Sequence, residues 1–149
     1  MSTGTQAETT HRIVAGIDGS SSSVAVLEWA ARQAELTGSS LEVMTTWEWP
    51  SSYGWTLPFP DEYDPAADAR KVLDGVLKAV QSAHPDVAFH SFVVESHPAP
   101  ALVEASRGAD LLVVGSRGHG EFAGMLLGSV SEHCVTNAHC PVLVFRDHG

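Results

Sequence analysis

Ile13-Val14-Ala15-Gly16-Ile17-Asp18-Gly19-Ser20 is the stretch whose reading decides the fold. Its first half is an unbroken apolar run, too short for a helix and without alternation, so it reads as a strand buried on both faces. Asp18-Gly19-Ser20 ends the run with turn chemistry. The serines from Ser20 to Ser23 supply hydroxyls that can cap a helix. Val24, Leu27, Ala30, Ala31 and Ala34 then recur three and four apart, and Gly38 stands where a helix stops.

The same alternation continues downstream. Leu41 to Trp47 reads as a second strand, and Ala66 to His84 as a helix with Val72, Leu73, Val76, Leu77 and Val80 on one face. Val87 to Glu95 is a third strand. Pro98 to Arg107 is a short helix with proline in its first turn and Gly108 at its end. Ala109 to Gly115 holds the buried run Leu111-Leu112-Val113-Val114, Gly128 to Ala138 is a helix, and Pro141 to Arg146 is a last strand. The order βαβαβαβαβ predicts an α/β domain, a five-stranded parallel sheet with helices on both faces and right-handed crossovers. Such sheets bind ligands outside the C-terminal strand ends, where the strand order reverses.

Bulk properties narrow the function. A chain of 149 residues suits one domain and buries about two-thirds of its unfolded surface. With 44% hydrophobic and 17% charged residues, it has the balance of a globular protein. Residues 1–11 are polar and read as a disordered N-terminal tail, leaving 12–147 as a single domain. That start lacks the basic and apolar regions of a signal peptide, and no apolar run nears the ~18 residues of a membrane span, so a cytoplasmic location is expected. The net charge of −10 argues against nucleic acid and membrane as partners, although local dipoles can still bind one small anion. Cys134 and Cys140 form no disulfide framework, and with His133 and His139 they match no zinc spacing; Cys134 reads as a core residue.

Two strand-end loops carry the chemistry. In the first, the Asp18 carboxylate can accept both hydroxyls of a ribose, or it can serve as a turn or cap aspartate. The second reads Gly115-Ser116-Arg117-Gly118, nine residues, then Gly128-Ser129. Gly115 and Gly118 let the backbone turn and approach a ligand closely, and successive N–H groups in such turns form an anion nest. Gly128-Ser129 opens a helix whose N–H groups and positive dipole end favour phosphate, with the Ser129 hydroxyl as a further donor.

The spacing Gly115-x2-Gly118-x9-Gly128-Ser129 resembles the phosphate-binding signature of ATP-binding universal stress proteins. The resemblance extends from Ile13–Ser20 through Leu126–Val130 to Cys140-Pro141-Val142 and leaves out the stretch 49–65. It implies a Rossmann-like sheet of order 3-2-1-4-5. It also implies that Asp18 holds the ribose, that Ile17 and the backbone around Thr46 bound the adenine with Val114 below it, that Gly16 belongs to the same binding site, and that Gly115, Gly118, Gly128, Ser129 and Val130 surround the phosphates, with Arg117 and His119 in the same loop. Homodimers through the last strand, Val142 to Phe145, belong to the same expectation. An apolar edge strand is an aggregation hazard that pairing removes, unless Asp147, His148 and the tail cover it.

The remaining signals are weaker. Trp49 to Pro65 reads as a long loop, either a lid or a surface loop pinned by its aromatic residues. Asp61, Glu62 and Asp64 in it are solvated acids or partners for a Mg²⁺ carried on ATP. Glu28 and Arg32 are spaced as a helix-face ion pair. The chain has neither a Gly-x4-Gly-Lys-Ser/Thr loop nor a Gly-x-Ser-x-Gly elbow, and its two lysines, Lys71 and Lys78, fall on the second helix. The sequence therefore predicts a nucleotide-binding protein with no catalytic residues, loaded with ATP, with or without Mg²⁺. AMP or cyclic AMP, or a dimeric interaction module without nucleotide, are the alternatives.

Overall fold

The computed structural model describes residues 11–49, 62–116 and 127–146. The elements run β1 (Arg12–Gly16), α1 (Ser23–Thr37), β2 (Ser40–Trp47), α2 (Pro65–Gln81), β3 (Phe89–Glu95), α3 (Pro98–Ala105), β4 (Leu111–Gly115), α4 (Ser129–Asn137) and β5 (Val142–Phe145). The five strands form one sheet in the order β3-β2-β1-β4-β5, and every pairing is parallel. Ala15 aligns with Val43 on one side and Val113 on the other, which places β1 at the centre.

Alternation along the strands feeds two cores. Ile13 and Ala15 of β1 face α1 and α2, where Leu27, Ala30, Ala31, Leu73 and Val80 are buried with them. Val14 faces the other way and meets Leu112, Val114, Leu102 of α3 and Cys134 of α4. The buried Ala30, Ala31 and Ala34 of α1 carry no long side chain, so that helix can lie close against the sheet. Gly38, at φ 69°, ends α1 in the left-handed region, with its N–H bonded to the Ala34 carbonyl. Asp64 caps α2 by accepting from Ala67 N–H at 3.1 Å, and Pro65 occupies the first helical position.

Several expected boundaries move. The α2 helix ends at Gln81 rather than His84, because His84 N–H bonds to the Gln81 carbonyl and Val87 N–H to the His84 carbonyl, which makes tight turns of the segment. β3 consequently starts at Phe89, not Val87. The serines before α1 do not cap it as expected: Ser22 has helical φ and ψ and no side-chain cap bond, and Ser23 ties the turn instead. The Glu28–Arg32 pair is present at 3.8 Å, but Glu28 makes a shorter contact of 2.8 Å to His84. Among the described residues no helix is long and apolar enough to cross a membrane.

Candidate functional site

A pocket of about 80 Å³ opens at the C-terminal end of the sheet, between the ends of β1 and β4. These neighbours lie where the strand order reverses: from β1 the chain pairs to β2 and β3 on one side, and to β4 and β5 on the other. Neighbouring strands whose crossovers leave in opposite directions keep the space beyond their ends clear, and a crevice forms there.

Eight residues expected from the sequence line this pocket: Gly16, Ile17, Asp18, Thr46, Val114, Gly115, Gly128 and Val130. Ser129 opens α4 beside it, exposed. Arg117, Gly118 and His119 lie outside the described residues, as do Asp61 and most of the loop from 49 to 65. At the ends of that loop, Trp47 meets Trp49 edge to face at 5.8 Å, and Trp49 lies 5.9 Å from Tyr63.

On the β1 side, Ile17 N–H continues the ladder to the Met44 carbonyl at 3.0 Å, so the chain leaves the sheet only at Asp18. The Asp18 carboxylate accepts from Ser20 N–H at 2.9 Å and from the Ser23 hydroxyl at 3.3 Å, while Ser23 Oγ accepts from Gly19 N–H at 3.0 Å. Gly19 has φ 80°, which a side chain would resist. Asp18 is thus a turn residue. A carboxylate has about four acceptor sites, so a role in the turn and a role toward a ligand hydroxyl are chemically compatible.

Gly16 lines the pocket and also makes room for a neighbour. A Cβ built on it would lie 2.7 and 2.8 Å from the two methyl carbons of Leu102, which is 4% exposed. The glycine lets α3 lay Leu102 across β1, and Leu102 thereby becomes part of the pocket lining. Met44, Val26 and Pro98 join it to make an apolar floor. Sequence reading missed these residues because Val26, Met44 and Leu102 look like ordinary packing residues of their own elements and Pro98 like a helix-start proline.

On the β4 side, the Gly128 N–H is engaged within the protein. That N–H donates to the Ser116 carbonyl at 2.6 Å. The next residues of α4 form its first turn, and Val130 of that turn lines the pocket. Ser131, buried at 2% exposure, also lines the pocket and was not singled out from the sequence. Among the described residues no group of three His, Cys, Asp or Glu side chains could hold a metal ion. Burial pushes the Cys134 thiol up to about 11, in keeping with a core residue.

The model of the universal stress protein family matches residues 9–146. The chain belongs to that family. A universal stress protein of Mycobacterium tuberculosis is 39% identical over 137 residues, covering 90% of this chain and 43% of the relative. A second from that organism is 37% identical over 148 residues, covering 91% and 47%. The chain thus spans a little under half the length of these curated relatives. A universal stress protein crystallised in complex with cAMP is 28% identical, with a TM-score of 0.69 over 92% of this chain and 97% of that one. Another, from Archaeoglobus fulgidus in complex with dAMP, superposes with a TM-score of 0.64 over 91% of this chain and 96% of that one, at 19% identity, and shares the fold.

Proposed function

We propose that this universal stress protein domain, residues 12–147, binds ATP in the pocket between the ends of β1 and β4 and acts as a nucleotide-loaded regulatory or stress-tolerance protein, not as an enzyme. The observation that carries the reading is convergence: residues distant in sequence that the motif assigns to adenine, ribose and phosphate line one pocket.

In this reading the adenine lies on the apolar floor of Ile17, Met44, Leu102 and Val114, bounded by the chain at Thr46. Asp18 accepts the ribose hydroxyls. The phosphates run from Gly115 toward the N-terminus of α4, where the amides of Ser129 and Val130 and the positive end of the helix stabilise negative charge. Gly118 completes the phosphate side by its place in the motif, with Arg117 and His119 beside it in the sequence. Mg²⁺, where present, arrives on the phosphates.

A second reading is AMP or cyclic AMP. The 28%-identical relative in complex with cAMP favours it, and it uses the same adenine and ribose contacts. We also infer a homodimer through β5. Its Leu143 and Phe145 pack into one core and Val142 and Val144 into the other, and among the described residues it pairs only with β4, so a partner strand would bind its free backbone edge.

The deciding experiment is to denature freshly purified protein and identify the released nucleotide by chromatography and mass spectrometry. Released ATP supports the first reading, and AMP or cyclic AMP supports the second. An empty extract, with no thermal shift on adding Mg-ATP, AMP or cyclic AMP, refutes both.

A further inference from the structure

The Ser131 hydroxyl donates to the Ser116 carbonyl at 2.9 Å and lies 3.1 Å from the Gly128 carbonyl. Gly128 N–H donates to the same Ser116 carbonyl at 2.6 Å. One acceptor at the end of β4 therefore takes two hydrogen bonds from the start of α4. The N–H of Ser116 donates in turn to the Phe145 carbonyl of β5 at 2.8 Å. Ser116 is itself buried, at 7% exposure, so these bonds form with little competition from water.

Two attachment points on a helix terminus fix its tilt as well as its distance, whereas one leaves a pivot. The Gly128 bond alone satisfies the Ser116 carbonyl, so the second bond is not needed to avoid a buried orphan. What it adds is orientation. The helix so oriented is the one whose first turn lines the pocket with Val130 and Ser131, and a binding group loses its value when its support lets it drift by more than about 0.5 Å.

We propose that Ser131 is a positioning residue for the phosphate subsite: its hydroxyl holds the N-terminus of α4 at a set angle to Gly115 and Ser116, so that the first turn of α4 meets the phosphate in a fixed orientation. This assignment rests on the nucleotide reading above and adds a residue outside the glycine signature.

The test compares wild type and Ser131→Ala by calorimetric titration with ATP and with adenosine, and by thermal melting without ligand. Adenosine shares the base and ribose contacts but has no phosphate. The expected result is an ATP affinity weakened about tenfold with adenosine affinity held within about twofold, on a folded protein. If Ser131→Ala fails to fold, Ser131→Cys, which keeps a similar volume and weakens the donor, carries the same comparison. Equal losses for the two ligands, or no loss for either, overturn the assignment and leave the nucleotide reading standing. Absence of binding by wild type overturns both.

Discussion

Replacing Gly16 by alanine adds one methyl group at a point where the structure has no room for it. The new carbon would stand 2.7, 2.8 and 3.3 Å from Cδ1, Cδ2 and Cγ of Leu102. Carbon atoms pack best at about 3.5–4.0 Å, so two contacts are short by roughly 0.7 Å or more. Gly16 is not among the positive-φ glycines, so backbone strain plays no part. Overpacking of this kind costs about 1–3 kcal/mol, offset by the ~0.4–1 kcal/mol gained when a glycine loses freedom in the unfolded chain. The net loss should lower Tm by roughly 2–4 °C per kcal/mol. Relief is available only if Leu102 swings away, and Leu102 lines the pocket, so Gly16→Ala should also weaken nucleotide binding. The assay is a double-mutant cycle with Leu102→Ala, followed by urea denaturation. Leu102→Ala alone should cost about 2–5 kcal/mol as a buried truncation. In that background Gly16→Ala should become neutral or stabilising, a coupling of about 1–3 kcal/mol. Costs that add to within about 0.5 kcal/mol would refute the steric argument and leave Gly16 with a role in ligand contact alone.

Other consequences are equally open to measurement. His84 is buried between two glutamates of α1: Nε2 meets Glu28 at 2.8 Å, and Nδ1 lies 2.9 Å from Glu35, close enough for an ion pair but not aligned as a hydrogen bond. The Glu28 hydrogen bond, opposed by burial and helped by Glu35, raises its pKa above 6.5. The folded state then holds a proton that the unfolded state releases, so this contribution is full below pH 6.5 and is lost as pH rises through the folded value. Denaturation curves between pH 6 and 9 should show that fall, and His84→Gln should flatten it; an unchanged slope would contradict the linkage. Asp18→Asn keeps an oxygen for the Ser20 N–H, so stability should change by less than about 1 kcal/mol. Its affinity for ATP and adenosine should fall together if the carboxylate holds the ribose, and calorimetry that finds neither changed would remove Asp18 from the site. Cys134 is fully buried, with its thiol pushed up to about 11, so it should resist alkylation at pH 8 until denaturant is added. Mass mapping that finds it labelled in the folded protein would argue against the α3–α4 core as described.

Much of this architecture could be read from residue order because the signals are local. A short run such as Leu111–Val114, closed by Gly115, reads as a doubly buried strand, and Gly38 can stop a helix whatever packs beside it. Those signals lose force at boundaries. Val87 looks like strand by its apolar character and is buried, yet its N–H closes a turn onto His84, and only the course of the chain after α2 reveals that. The order of strands likewise came from family resemblance, since periodicity reports which faces are buried and not which strands are neighbours.

The sequence by itself determined the element order, the parallel sheet and the placing of Asp18, Gly115 and Gly128 at strand and helix ends, because period, turn chemistry and spacing depend on near neighbours along the chain. Tertiary structure alone decided what those residues touch. Leu102 arrives over Gly16 from α3, Ser131 and Gly128 converge on one carbonyl of Ser116, and two carboxylates of α1 close around His84. Each of these contacts joins residues on different elements. Hydrogen bonds and steric limits act over a few ångströms, and which distant residues come that close is settled only when the helices dock on the sheet.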